Sequence, residues 1–235
     1  WRRLDERFPA GARVLELGCG TGEDAAHLAE RGVRGLATDG APAMVETAAR
    51  KARERGVSGI DFGVMTLESF ASQAPAETAL LDEHGPFDGA FSNFGALNCV
   101  EDLSPVARAL AARLRPGAPA VLVLMGPVVP WEWLWFLARG RPGSAFRRLR
   151  RGGTRWRGAT IRYPGIGAAR RAFAPWFRPL RASAVGALVP PPYSEEWAGR
   201  RGRMLARLNA WERRWEDRFP LPWLADHYVL ELERQ

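Results

Sequence analysis

Hydrophobic and polar positions alternate between two periods over the first 125 residues of the chain. Short runs rich in valine, leucine and isoleucine are followed by stretches in which apolar residues recur every three or four positions, as on one face of a helix. The apolar runs lie at residues 13–17, 33–38, 60–65, 87–94 and 120–125. Strands that alternate with helices predict right-handed βαβ units and a mainly parallel sheet.

Several predicted elements carry recognisable start signals. Pro42 begins one helix, a second is expected around 67–81, and Ser104 followed by Pro105 predicts an N-cap with a first-turn proline. Beyond Met125 the regular alternation stops, and an aromatic segment at 131–137 follows. The later predicted elements are an arginine-rich helix at 145–151, a strand at 155–163, a helix at 166–177, a strand at 180–188 and a last strand at 227–232.

The region after 190 predicts one long helix. Ser194 is expected to cap it, and Met204, Leu208, Trp211 and Trp215 follow at spacings that place them on one face. This face and the aromatic segment have two interpretations. They are either elements that pack on each other and on the sheet, or the walls of an apolar acceptor pocket with arginines at its mouth.

Charge is distributed unevenly along the 235 residues. The net charge is +8, and the segment from Trp133 to Ser194 holds thirteen arginines and no aspartate or glutamate. Such a section indicates an anionic substrate, an anionic membrane surface or nucleic acid, or else arginines that are simply solvated. Cys19 and Cys99 have no metal-binding spacing and are expected in a reducing cytosol. The chain begins at Trp1 without methionine, so we expect further residues before it.

The strongest chemical signal is a glycine-rich turn after the first strand. Residues 16–22 read E-L-G-C-G-T-G, and the third glycine of a dinucleotide-binding pattern is replaced by Glu23. A carboxylate at Glu16 would repel a pyrophosphate but attract an ammonium or sulfonium group. Asp39 ends the second strand, 21 residues after Gly18, where a carboxylate can accept hydrogen bonds from ribose hydroxyls. A ligand with a ribose, a positive centre and no phosphate fits these residues.

The stretch V-L-E-L-G-C-G-T-G at 14–22 resembles the first motif of class I S-adenosylmethionine-dependent methyltransferases. Residues 38–44 are similar to that family's second-strand end, 87–95 to its fourth-strand motif, and 114–117 to the turn before its fifth strand. The resemblance spans roughly residues 10–126, with several motifs in the right order.

The resemblance implies a doubly wound α/β fold. We expect a mainly parallel sheet of about seven strands with an antiparallel last strand, and lid insertions after strands 5 and 6. Residues 1–126 would form the S-adenosylmethionine-binding core and 127–162 a lid or acceptor insertion. Residues 163–235 would complete the sheet, with a second helical insertion near 190–222.

The resemblance also assigns cofactor contacts. Glu16 would lie near the methionine amino group, Asp39 would bind the ribose, and Met44 would pack on the adenosine. Many relatives have an acidic residue after the third strand that binds the adenine amino group, whereas this chain has Met65 and Thr66 there. The full set is Glu16, Gly18, Cys19, Gly20, Gly22, Asp39, Gly40, Met44, Met65, Thr66, Leu67, Asn93, Phe94 and Gly95.

Catalytic residues are less evident. Methyl transfer is an in-line displacement at an activated sulfonium, so alignment and exclusion of water can supply most of the rate. A base is needed only if the acceptor keeps its proton, and His227, Tyr163 and Tyr193 are the candidates for it. Acceptor contacts are expected from Asn98, Trp131, Trp133, Trp135, Tyr163 and Tyr193.

Taken with the resemblance, these patterns predict a cytoplasmic enzyme that methylates a small apolar or anionic molecule. A methyltransferase of a lipid or quinone at an anionic membrane surface is the alternative, because tryptophans beside arginines suit an interface. A nucleic-acid acceptor is disfavoured, since residues 93–96 read N-F-G-A and lack the motifs of base methyltransferases. A module that binds the cofactor without turnover stays open, as does the oligomeric state.

Overall fold

The computed structural model describes residues 1–73, 75–93, 95–156, 158–189 and 202–235. Phe94 and Tyr193, both predicted to contact ligands, and the predicted cap at Ser194 therefore lie outside the described residues. Within the part that is described, no helix is long and apolar enough to cross a membrane.

Five strands alternate with helices in the first half of the chain. In chain order, the elements are α1 (Arg2–Arg7), β1 (Arg13–Leu17), α2 (Glu23–Glu30), β2 (Arg34–Asp39), α3 (Pro42–Glu54), β3 (Ile60–Val64), α4 (Leu67–Ser72), α5 (Pro75–His84), β4 (Gly89–Ser92), a 3-10 helix (Ala96–Cys99), α6 (Leu103–Arg113) and β5 (Pro119–Met125). The five predicted strands are therefore all present, each within a few residues of its expected bounds.

The second half departs from this alternation. It contains α7 (Pro130–Leu137), α8 (Pro142–Ala145), a 3-10 helix (Arg147–Leu149), β6 (Thr154–Trp156), β7 (Ala159–Ile161), α9 (Ile166–Phe173), β8 (Phe177–Val185), α10 (Gly202–Trp215), a 3-10 helix (Leu221–Leu224) and β9 (His227–Arg234). The elements from α7 to β7 lie between β5 and α9. Their function as a lid stays a prediction.

Seven strands form one sheet in the order β3-β2-β1-β4-β5-β9-β8. The first five are parallel, and β9 runs antiparallel to both β5 and β8. This confirms the predicted α/β fold with an antiparallel last strand. Because the order reverses direction at β1 and β4, the carboxyl ends of these two strands border the crevice where ligands bind in such sheets.

Helices cover both faces of the sheet. On one face α4, α5, α6 and α9 bury a large core that includes Leu110, Phe173 and Tyr228. On the other face α1 and α2 pack on Phe91 and Val229. Since successive strand residues point to opposite faces, Tyr228 and Val229 belong to different layers, and His227 shares the layer of Val229.

Two predictions for the first half need correction. The helix expected at 67–81 is divided into α4 and α5, because Gln73 adopts a left-handed conformation that ends α4. The helix predicted to be capped by Ser104 is capped by Asp102, whose carboxylate accepts a hydrogen bond from the Ser104 amide.

The second half contains larger errors. The arginine-rich stretch 145–151 is not a regular helix, since Arg148 turns inward to the buried Glu132 and to Asp226. The strand expected at 155–163 is a hairpin of two short strands, because Gly158 has a positive φ that turns the chain. Helix α9 ends at Phe173, and the strand expected at 180–188 occupies 177–185.

Helix α10 is confirmed over residues 202–215, but its predicted apolar face is not buried. Trp211 is 67% exposed, and the buried residue of the helix is Glu212. The Glu212 carboxylate accepts hydrogen bonds from the amides of Gly186 and Leu188, at 2.7 Å each. The helix is thus held by a buried carboxylate, not by the row of large apolar side chains.

Candidate cofactor and acceptor site

The glycine turn after β1 needs its glycines for different reasons. Gly18, Gly20 and Gly22 all have positive φ angles. A Cβ added to Gly18 would lie 2.3 Å from the Cβ of Ala96, and one added to Gly22 would lie 2.7 Å from the Cβ of Ala48. A Cβ on Gly20 would meet no atom within 4 Å. Gly20 therefore leaves open space beside its backbone, where a ligand can approach.

Glu16 places a buried carboxylate under this turn. The residue is 3% exposed, and no hydrogen-bond partner for its Oε2 is found among the described residues. Burial, and secondarily the charges of Asp24 and Asp39, raise the pKa of Glu16 well above its ordinary value of 4.5. A buried acceptor without a partner is costly. A bound cationic donor would remove that cost.

Asp39 is held in a fixed orientation at the end of β2. Its Oδ2 accepts a hydrogen bond from the Gly20 amide and its Oδ1 one from the Ala41 amide, both at 2.9 Å. Each carboxylate oxygen can accept more than one hydrogen bond, so two hydroxyl groups of a ribose can still be bound. Asp39 is thus hydrogen-bonded to the glycine turn, and its contact with a ribose stays a prediction.

The cofactor contacts predicted near β2 and β3 differ in how exposed they are. Met65 is buried in the core, and Thr66 caps α4 by accepting a hydrogen bond from the Ser69 amide. The Met65 side chain therefore does not border the open space, whereas Met44 is 43% exposed. Val64 is not among the predicted cofactor contacts, although it pairs with Asp39 in the sheet and is 49% exposed. In the sequence, nothing but its place at the end of an apolar run marks it.

The segment after β4 lies next to the start of α2, beside the glycine turn. Asn93 donates a 2.7 Å hydrogen bond to Asp24, and Trp1 donates to the same carboxylate at 2.5 Å. Asp24 was not predicted, because it follows the glycine motif without belonging to it. Gly95 lies against Met125, since an added Cβ would be 2.5 Å from the Met125 Cε.

The expected acceptor contact of Asn98 is wrong. Asn98 is fully buried, its amide nitrogen donates to the carbonyl groups of Met125 and Arg162, and its Oδ1 accepts from the Met125 amide. Through these bonds Asn98 connects the end of β5 with the residue that follows β7. The side chain thus braces the backbone and has no free group for a substrate.

A cavity of about 700 Å³ lies next to Asp24 and Asn93. Valines of β5, β8 and β9 form its apolar part, and helices α1 and α10 supply charged groups of both signs. The lining includes Trp1, Arg2, Arg3, Glu23, Asp24, Asn93, Val121, Val123, Val185, Asn209, Glu212, Arg213, Glu216 and Val229. We call it the valine cavity.

A second cavity of about 520 Å³ lies on the opposite face, and Tyr163, Arg148 and Arg162 are among its lining residues. The predicted acceptor tryptophans line neither cavity in the part of the chain that is described. Trp131 donates a hydrogen bond to the Leu188 carbonyl, and Trp133 packs against Phe146. Arg139 lies 3.4 Å above the ring of Trp135.

Each of the three histidines contacts an aspartate, but their positions differ. His27 contacts Asp5 on the outer side of α2, and His84 contacts Asp61 near the edge strand β3. His227 begins β9, where it pairs with Met125 on one side and Val185 on the other. It therefore lies at the carboxyl edge of the sheet, in the layer that forms the valine cavity.

Asp226 orients His227. Its Oδ2 is 3.2 Å from the His227 Nδ1, and its Oδ1 is 2.5 Å from the guanidinium of Arg148. Although burial opposes it, the hydrogen bond to His227 and the charge of Arg148 lower the pKa of Asp226 to about 2. Asp226 is thus ionised, and its carboxylate fixes the orientation of the His227 ring.

Known proteins are similar to this chain over the region that contains the glycine turn and Asp39. A family model described as a methyltransferase domain matches residues 14–117. The ubiquinone biosynthesis O-methyltransferase of Xanthomonas axonopodis pv. citri is 35% identical over 114 residues, which cover 48% of this chain and 43% of that protein. The enzyme of the same name from Methylocella silvestris is 35% identical over 107 residues, or 46% of this chain and 37% of that protein. The chain thus spans less than half the length of these curated relatives.

Solved structures extend the likeness to the whole fold. An S-adenosylmethionine-dependent methyltransferase from Mesorhizobium loti superposes on all of this chain and 97% of its own, with a TM-score of 0.62 and 18% identity. A structure from Listeria monocytogenes described in similar terms has a TM-score of 0.61 and 16% identity, covering 100% of this chain and 96% of that one. At these identities the likeness establishes the fold.

Proposed function

We propose that the chain is a class I S-adenosylmethionine-dependent methyltransferase that transfers a methyl group from S-adenosylmethionine to a small molecule. The methyltransferase-domain match over residues 14–117, the curated relatives and the shared fold support this proposal. The observation that carries the proposal is the buried Glu16 carboxylate beneath an open glycine turn, next to the fixed carboxylate of Asp39. Two acidic groups at the turn disfavour a phosphate ligand and favour one with an ammonium group and a ribose.

The residues fit S-adenosylmethionine in three places. Glu16 would accept hydrogen bonds from the methionine ammonium, and Asp39 would accept them from the ribose hydroxyls. Met44 and Val64 would cover the adenine with apolar surface. When bound, the cofactor supplies a methyl group that its sulfonium already activates. The protein then has to align the acceptor and exclude water.

The valine cavity is the acceptor site that we propose. It adjoins Asn93, which follows the strand whose motif flanks the methyl group in the resembling family. Its valines would hold an apolar body, while Arg213 would bind polar or anionic substituents at the rim. Arg2 and Arg3 are already ion-paired with Glu216. His227, fixed by Asp226, would accept the proton when the acceptor carries one.

A lipophilic acceptor is the finer form of this proposal. The matched relatives are named for O-methyl transfer in ubiquinone biosynthesis, and the valine cavity has an apolar floor. A methyl acceptor oxygen on an apolar ring compound therefore agrees with both facts. The family match ends at residue 117, however, and the valine cavity is built largely from residues beyond it.

Incubation with methyl-labelled S-adenosylmethionine and a fractionated extract of the source cells tests the proposal. We expect label in a small-molecule or lipid fraction. Cofactor binding without transfer to any fraction would indicate a binding module, and label in nucleic acid would contradict the proposed acceptor class.

Asp39→Ala should weaken cofactor binding about fivefold to a hundredfold, which corresponds to about 1–3 kcal/mol for stranded hydrogen-bonding groups. Calorimetry with S-adenosylhomocysteine measures the change, and NAD should not bind to the wild type. Asp61→Ala is the matched control, because Asp61 lies on the next strand and contacts His84 instead of the glycine turn. Equal affinity of the Asp39 variant and the wild type would refute the assignment.

Glu16→Gln should have opposite effects on the stability of the fold and on cofactor affinity. The raised pKa means that the folded chain holds a proton on Glu16 more tightly than the unfolded chain, so Glu16 lowers stability increasingly as pH rises above 4.5. The variant should therefore melt higher than the ligand-free wild type at pH 7. It should bind the cofactor about tenfold to a hundredfold more weakly, because a charge-assisted hydrogen bond is lost.

The pH dependence of affinity provides the control for Glu16. Wild-type affinity should rise with pH above the ordinary carboxyl range as the Glu16 carboxylate ionises, whereas the affinity of the variant should change little. A variant that melts lower than the wild type at pH 7 would contradict the burial argument.

A further inference from the structure

The segment from α7 to β7 carries an exposed surface that cofactor binding does not use. Five large apolar side chains on it are between 42% and 64% exposed. We call these residues, with the exposed arginines beside them, the insertion surface. It comprises Leu134, Leu137, Phe146, Leu149, Trp156, Arg139, Arg141, Arg150, Arg151 and Arg155.

The inner side of the same segment explains why these apolar groups face outward. Glu132 and Phe136, one helical turn apart on α7, are buried. Arg147 and Arg148 lie 2.9 Å and 2.8 Å from the Glu132 carboxylate. Since Glu132 and Phe136 occupy the inner face of α7, Leu134 is directed to the opposite side, where it is 64% exposed.

The charge of this surface has one sign. Glu132 is the only acidic residue in the sequence from Pro130 to Val189, and it is buried and neutralised by arginines. Arg151 and Arg155 are exposed. A surface of exposed leucine and aromatic side chains, interleaved with arginines and without an exposed carboxylate in the described part of the segment, complements an apolar phase with an anionic boundary.

We propose that the insertion surface docks the protein on a bilayer that contains anionic lipids. The leucines and aromatic rings enter the interface between headgroups and acyl chains, and the arginines lie among the headgroup phosphates. Helix α10 also exposes Trp211 and Trp215, but the exposed carboxylate of Asp217 follows them, whereas the insertion surface has no exposed carboxylate among its described residues. The docking surface is therefore the insertion and not α10.

Sedimentation with vesicles tests the proposal without cofactor or acceptor, so its result is independent of methyl transfer. The wild type should bind vesicles of phosphatidylcholine with phosphatidylglycerol and not vesicles of phosphatidylcholine alone. The triple variant Arg141→Gln, Arg151→Gln, Arg155→Gln should bind on the order of a hundredfold more weakly, since each basic residue near an anionic surface strengthens binding about fivefold. High salt should reproduce this loss.

Two control variants separate local docking from general adhesion. Arg50→Gln, Arg53→Gln, Arg55→Gln on and beside α3 lowers the net charge equally and should leave vesicle binding within a few-fold. Leu134→Gln, Leu137→Gln should lose binding, whereas Trp211→Gln should keep it. Calorimetry with S-adenosylhomocysteine verifies that each variant remains folded and binds the cofactor.

Several results would overturn the proposal. These are no binding of the wild type to the anionic vesicles, equal binding to both vesicle types, or an equal loss in the α3 variant. Retention of an oligonucleotide that depends on Arg151 without vesicle binding would identify nucleic acid as the partner instead. A dimer in gel filtration that the leucine variants abolish, again without vesicle binding, would identify a second copy of the chain.

Discussion

Gly20→Val should abolish measurable binding of S-adenosylmethionine while the protein stays folded. In the ligand-free protein the new side chain meets open space. The free energy of unfolding is therefore lowered only by the strain of a β-branched residue at a positive φ. In the complex the same space belongs to the ligand. Calorimetry with S-adenosylhomocysteine and circular dichroism measure the two properties separately.

Two other glycines provide matched controls. Gly117 also has a positive φ and open space, but it precedes β5 at the amino ends of the parallel strands, away from the turn, so Gly117→Val should bind the cofactor normally. Gly18→Val should unfold or aggregate, because its Cβ would overlap that of Ala96. Normal cofactor binding by Gly20→Val would mean that the turn is structural and that the site lies elsewhere.

His227→Gln should lower kcat about a hundredfold to ten-thousandfold, the usual contribution of a positioned base, if the acceptor is bound with its proton. Cofactor affinity should not change, because His227 belongs to the valine cavity layer and not to the glycine turn. The loss should fall on kcat, with the melting temperature close to that of the wild type. A merely structural residue would lower the melting temperature instead.

His84→Gln is the control for this experiment. His84 is buried to the same degree as His227 and contacts Asp61 at 3.1 Å, but it lies beside the edge strand β3. Its replacement should leave kcat unchanged. If His227→Gln turns over at the wild-type rate, the acceptor needs no base from this position, and alignment alone supplies the rate.

The cofactor half of the site was predictable because it depends on local sequence. A strand followed by glycines determines the turn, and the spacing to Asp39 brings the two ends of adjacent parallel strands together. Even so, the reason for each glycine was not evident. Only the packed structure shows that Gly18 and Gly22 lie against Ala96 and Ala48, and that Gly20 alone among the three leaves open space.

The acceptor half could not be predicted because it depends on long-range contacts. Nothing near Asn98 in the sequence indicates that it braces Met125 and Arg162, so its amide is easily mistaken for a substrate contact. Asp226 and Arg148 are 78 residues apart, so their pairing, which orients His227, has no local signal. The alternating pattern of β9 predicted a strand but not its partners.

The position of β9 makes completion of the sheet depend on the order of synthesis. In the described sheet, strand β8 pairs only with β9, and β5 pairs on that side only with β9 as well. During translation both strands are synthesised before His227–Arg234, so β5 keeps an open edge until β9 has been made. A chain that stops before residue 227 would thus retain an aggregation-prone edge, which quality-control chaperones can bind.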